Sequence, residues 1–182
     1  MRLFGLLFFL AFTGGDMHAQ PGPESAEKIM KGALQEARIE KKNVFIFFSA
    51  SWCGWCHAMD SAIHDPRCRD LFGAYYVIRK LDVKEESNKK YLENPGAAEM
   101  LRQYHGDSQG IPFWLIFDGN GNLIADSQLR HPGESLNQPG ENVGCPSTQK
   151  EIQYFVMILK QTSHLTNQEI AVIETRFAQT HD

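Results

Sequence analysis

Val44-Phe45-Ile46-Phe47-Phe48-Ser49-Ala50-Ser51-Trp52-Cys53-Gly54-Trp55-Cys56-His57 is the stretch whose reading decides how this chain folds. Its first five residues are unbroken apolar β-formers, the pattern of a strand buried on both faces. From Cys56 a helix is expected to run to about Ile63, interrupted at Asp65-Pro66. Two cysteines therefore stand between a buried strand and a helix start. A helix start presents unpaired N–H groups and the positive end of the dipole. Both favour the thiolate, the nucleophilic form of cysteine. Cys53, at the exposed N-terminal end, reads as the attacking thiol, and Cys56, one turn in, as the buried resolving thiol. Cys-x-x-Cys can also be half of a zinc site, but no second such pair exists to complete a four-thiolate set.

Working outward, residues 24–41 place Ile29, Ala33, Leu34 and Ala37 at helical spacing, an amphipathic helix ended at Asn43. Residues 75–83 read as a second buried strand. Residues 88–104 read as helix, broken at Asn94-Pro95-Gly96. Gly110-Ile111-Pro112 precedes a third apolar strand, Phe113–Phe117. Asp118-Gly119-Asn120-Gly121-Asn122 then turns the chain into a return strand at 123–125. Residues 127–146, rich in Gly, Pro, Asn and Gln, read as a long loop, a kind that is often functional. Thr148 with Glu151 and Thr166 with Glu169 fit capping boxes that open two closing helices. The order α-β-α-β-α-β-β-α-α implies an α/β fold: a central mixed sheet, helices on both faces and an extra C-terminal helix.

The segment Phe48-Ser49-Ala50-Ser51-Trp52-Cys53-Gly54-Trp55-Cys56-His57 resembles the active site of the thioredoxin superfamily. Ile111-Pro112 resembles that family's cis-proline, and residues 113–124 its following hairpin. The Trp-Cys-Gly-Trp-Cys-His wording is most similar to exported bacterial thioredoxin-like proteins. The resemblance implies a thioredoxin-like fold, catalytic Cys53 and Cys56, and substrate contacts at Ile111 and Pro112, while Trp52 and Trp55 read as an apolar rim for docking partner proteins, Trp52 equally well as core packing. His57, just past the resolving thiol, reads as a group that stabilises a thiolate or carries a proton near pH 7, or equally as an ordinary first-turn helix residue. Lys80, a modulator by resemblance, occupies the position of the family's nearby buried lysine. Two departures stand out. Phe47 occupies the place of a buried aspartate that moves the resolving thiol's proton in thioredoxin, and Gly54-Trp55 replaces Gly-Pro between the cysteines.

The 182 residues, 42% hydrophobic and 22% charged, suit one globular domain. A net charge of −4 gives no electrostatic reason to expect nucleic acid. The run Lys84-Glu85-Glu86 reads as a solvated face. Residues 1–19, with Arg2 followed by a short apolar run and His18-Ala19, read as a secretory signal peptide, leaving residues 20–182 as a single domain, periplasmic or secreted. Export would place the four cysteines where disulfides persist. Cys68 is expected far from the redox end. Cys145 is expected near it, as a third thiol or simply as a small buried hydrophobe.

The leading expectation is an exported thiol–disulfide oxidoreductase that reduces disulfide-containing proteins. It would act as a monomer, without cofactor or resident metal, and be fed by a thiol electron donor such as a membrane protein. The alternatives are a non-enzymatic binding module using the long loop and the tryptophans, and metal delivery through Cys53, Cys56 and His57.

Overall fold

The computed structural model describes residues 22–130 and 134–180. The segment read as a signal peptide lies outside them.

Strands β1 (Asn43–Ser49), β2 (Tyr76–Asp82), β3 (Phe113–Phe117) and β4 (Leu123–Asp126) form one sheet in the order β2-β1-β3-β4. β1 and β2 are parallel, because a helical crossover joins them. β3 runs antiparallel to β1 and forms the hairpin with β4.

Period-two alternation divides the core into two layers. Val44, Ile46, Phe48, Phe113, Leu115 and Phe117 pack against helices α1 (Ala26–Glu40) and α4 (Ala97–Gln103). Phe45, Phe47, Trp114 and Ile116 face the other way, toward α2 (Gly54–Ile63), α3 (Arg69–Tyr75), α5 (Gln149–Thr162) and α6 (Asn167–Ala178). The C-terminal helix α6 packs on α5 and α2, and its Phe177 meets Phe72 and Phe155. Both capping boxes are formed, with Thr148 paired to Glu151 and Thr166 to Glu169.

Four expectations are corrected. The second strand is not buried on both faces: β2 is an edge strand, so Ile78 and Arg79 are half-buried and Lys80 is exposed. Residues 88–104 are not mainly α-helix. Ser87–Leu92 is a 3-10 turn and only Ala97–Gln103 is α-helical, entered through Gly96 at φ 83°. Helix α3 was not foreseen. The chain enters it through Asp65, whose carbonyl accepts the N–H groups of Cys68 and Arg69. The Asp65 carboxylate takes hydrogen bonds from Arg67 and from Arg176 of α6, which hold it well below the usual carboxylate range.

Finally, the stretch 127–146 is not simply a loop. It holds a two-stranded ladder, β5 (Gln128–Leu129) with β6 (Glu141–Asn142), and it is tied to the core. Trp114, fully buried and stacked on Phe45, donates its Nε1–H to the Gly144 carbonyl at 3.0 Å. Gly144 lies at φ 56°, and a Cβ there would sit 3.3 Å from the Pro112 carbonyl oxygen, so this close approach suits glycine alone.

Candidate functional site

β1 ends at Ser49, and the backbone then turns, with the Cys53 N–H donating to the Ala50 carbonyl, before α2 begins. Cys53 is the N-cap of α2, in extended conformation, and its Sγ accepts the Cys56 N–H at 3.1 Å. The two cysteines form a disulfide. The cap position explains the chemistry available to Cys53: when the pair is reduced, the same N–H groups that need an acceptor stabilise a thiolate.

The Ile111–Pro112 peptide is cis. The Ile111 carbonyl oxygen lies 3.5 Å from Cys53 Sγ, and its side chain packs on Ala50, Cys53 and Cys56. This packing corrects the expectation that Cys53 is exposed: in the disulfide state it is only 4% accessible. Asn142 of β6 donates through Nδ2 to the Gly110 and Pro112 carbonyls, at 2.8 and 3.1 Å. The segment that had read as a loop therefore buttresses the strand facing the disulfide.

Trp52, just before the pair, and Trp55, between its cysteines, are 52% and 48% exposed and give this end of the molecule a large apolar rim. Trp52 is not core. Its ring is fixed by an Nε1–H bond to the Lys84 carbonyl, while the Lys84 ammonium is held by the carbonyls of Asp107 and Gln109. His57 is exposed, with Nε2 3.1 Å from the Ser51 carbonyl oxygen.

Lys80 sits opposite Phe47 in the β1–β2 register but does not lie buried beside the pair. On the edge strand no neighbour covers it, its side chain is 49% exposed, and its ammonium pairs with Asp82. Phe47 is wholly buried in the α2-side layer, where a carboxylate would have no partner.

Cys145 lines a cavity of about 310 Å³ together with Trp55, Ile111, Pro112, Asn142 and Glu151, so the topology does bring it beside the redox end. Its thiol is buried and free, and burial pushes its pKa up to about 12. A thiol so protonated is a poor nucleophile near neutrality. Cys68, also free, belongs to the same core cluster, and burial raises it too. Among the described residues, no group of three His, Cys, Asp or Glu side chains is placed to hold a metal ion.

Alkylation of the reduced native protein at pH 7 is therefore expected to modify Cys53 first and to leave Cys68 and Cys145 intact until the chain is unfolded, as read by peptide mass mapping. The raised Cys145 value also has a sign. The stability linked to its proton is fully present below the unfolded thiol's value and is lost as pH rises toward about 12. Rapid labelling of Cys145 at pH 7 would contradict both statements.

Residues 26–119, just over half of the chain, match the model of the thioredoxin-like family. The chain belongs to the thioredoxin-like family. No curated protein matches it. Among solved structures it is similar to a disulphide isomerase from Xylella fastidiosa Temecula1, at 19% identity over 93% of this chain and 97% of that one, with a TM-score of 0.49. It is also similar to the oxidised C-terminal domain of DsbD from Neisseria meningitidis, at 16% identity over 77% and 98% of the two chains, TM-score 0.43. A thioredoxin from Thermus thermophilus aligns at 17% identity over 76% and 83%, TM-score 0.44. Membership of the thioredoxin-like family, together with the Cys53–Cys56 disulfide at a helix start, supports thiol–disulfide oxidoreductase chemistry in general.

Sequence reasoning missed three residues of this site. Glu85 was hidden in a charge run that read as solvated, yet it is buried under Ser51. Ser51 lies inside the motif segment but has no role assigned by it, and Asn142 carries no motif. Their roles come from what the fold places against them.

Proposed function

We propose that this thioredoxin-like protein is exported and reduces disulfides in partner proteins, residues 20–182 working as one domain. The observation that carries this reading is the disulfide at the α2 N-terminus, with its attacking sulfur beside the carbonyl that precedes a cis-proline.

The Cys53 thiolate attacks one sulfur of a partner disulfide. That S–S bond breaks, the partner's other sulfur leaves as a thiolate, and a Cys53–partner disulfide forms. Cys56 Sγ, deprotonated, then attacks Cys53 Sγ, closing the internal disulfide and releasing the partner as a dithiol. Two electrons have passed to the partner, and a thiol donor protein returns them by the same exchange run in reverse. Trp52 and Trp55 supply an apolar rim against which such partners would bury surface. Export rests on the reading of residues 1–19, and the protein is proposed to act as a monomer.

The test is the equilibrium reduction potential of Cys53–Cys56 in a dithiothreitol or glutathione buffer. A value near −270 mV is the expected result and marks a reductant, whereas one near −120 mV would mark an oxidant and reverse the proposed direction of electron flow.

A further inference from the structure

We propose that Glu85 is a positioning residue for Cys53: its buried carboxylate grips the loop that carries the attacking sulfur and holds the thiolate's reactivity down. This rests on the reading of Cys53–Cys56 as a redox pair.

The geometry is specific. Glu85 follows β2 and is only 4% exposed. Its Oε1 accepts the Ser51 N–H at 2.5 Å and its Oε2 accepts the Ser51 hydroxyl at 2.8 Å. Ser51 lies two residues before Cys53, so the two Cα atoms are at most about 7.6 Å apart. The Ser51 carbonyl in turn meets His57 Nε2, on the far side of the same turn. One residue thus joins a buried acid to the first turn of α2.

Among the described residues, no cation pairs with this carboxylate. Among the described residues, Glu85 and Asp126 are the buried acids. Asp126 has Arg130, whereas no Lys, Arg or His forms an ion pair with Glu85. The charged neighbours are accounted for elsewhere. Glu93 accepts the Glu85 N–H and pairs with Lys90, and the Lys84 ammonium is held by the carbonyls of Asp107 and Gln109. Holding Ser51 alone would need only a neutral acceptor, and a buried carboxylate without a counter-ion is costly.

The consequence follows from Coulomb's law. A negative charge hydrogen-bonded to the residue two before Cys53 disfavours a second one there, and two like charges about 10 Å apart at an effective dielectric constant of about 20 would change the thiolate-to-thiol ratio by on the order of tenfold. Phe47 leaves no acid beneath the pair on β1, so in this chain the restraint comes from the side, through Ser51.

The experiment measures the alkylation rate of Cys53 by iodoacetamide in the reduced protein at pH 6, and the glutathione exchange constant of the pair. Both are measured for the wild type, Glu85→Gln, Glu85→Asp and Ser51→Ala. Glu85→Gln is expected to alkylate three- to tenfold faster and to shift the exchange constant by a similar factor toward the reduced protein, with Glu85→Asp returning toward wild type. Ser51→Ala removes one of the two Ser51 donors that favour the charged carboxylate and should act in the same direction as Glu85→Gln, at least twofold faster than wild type. It decides the matter alone if Glu85→Gln does not fold. Unchanged Cys53 kinetics in Glu85→Gln, with only thermal stability lowered, would overturn the proposal and leave Glu85 a structural residue. A wild-type Cys53–Cys56 pair that does not exchange with glutathione at all would instead overturn the redox reading itself.

Discussion

Cys53→Ser is expected to abolish disulfide exchange, lowering turnover of a peptide disulfide by more than about 10³-fold, because the hydroxyl that replaces the thiol is a weak nucleophile at its own pKa. Cys56→Ala should behave differently. Cys53 remains the N-cap acceptor at the start of α2, so attack on a partner disulfide proceeds. With no second sulfur one turn along, the covalent Cys53–partner species cannot be resolved from within, and it should accumulate. Mass spectrometry of Cys56→Ala mixed with an oxidised protein would show the adduct, and reductant would release it. The contrast is the informative part. If both variants were equally inert and formed no adduct, the two cysteines would be a structural bridge. Comparable adducts trapped through Cys56 in Cys53→Ser would reverse the assignment of attacking and resolving sulfurs, against the N-cap position of Cys53 at the start of α2.

The largest stability effect is expected at Arg130. Its guanidinium forms a two-pronged pair with the buried Asp126, at 2.6 and 2.8 Å, and donates also to the carbonyls of Gln128 and Gln138. It thereby joins the end of β4 to both sides of the 128–142 excursion. Arg130→Ala would leave the Asp126 carboxylate buried without its cation, which costs about 3–5 kcal/mol. The lower end is the better expectation, since the Gln128 N–H and side-chain amide still donate to Asp126. For a domain of this size that is a fall of roughly 10 °C in Tm. Asp126→Asn with Arg130→Met should recover much of it, because the uncompensated charge is then gone. A single-variant loss below about 1 kcal/mol would mean that solvent reaches the pair after all. The excursion carries Asn142 and leads directly into Gly144, which contact the segment 110–112 and Trp114, so Arg130→Ala should also slow exchange at Cys53 without touching it.

The site illustrates how differently two kinds of information are stored in a sequence. Cys53 and Cys56 were legible because the strand-to-helix pattern around them is local: five apolar residues, a short turn, then helical spacing. Ile111-Pro112 was legible only by resemblance, since nothing in its neighbours says that it packs on the cysteines some sixty positions earlier. Glu85 was misread. Between Lys84 and Glu86 it looks like one charge in a solvated run, yet it turns inward while Glu86 stays exposed. The direction of that turn depends on where β2 ends relative to the loop after β1, a register that no local pattern records. Lys80 fails for the complementary reason. Its position in the register is as expected, but exposure depends on whether another strand lies outside β2, and none does.

By itself the sequence determined the α/β class, the buried central strand, the redox pair at a helix start and the two capped closing helices. All of these follow from periodicity and caps within about a dozen residues. Only the tertiary structure decided which polar groups face the pair. The Glu85 grip on Ser51, the Asn142 support of the proline loop and the placing of Cys145 beside that loop are contacts between segments some thirty residues apart. Such contacts arise from how sheet and helices pack as layers, and burial, rather than the identity of the residue, then sets whether a carboxylate or thiol there is charged, neutral or within reach.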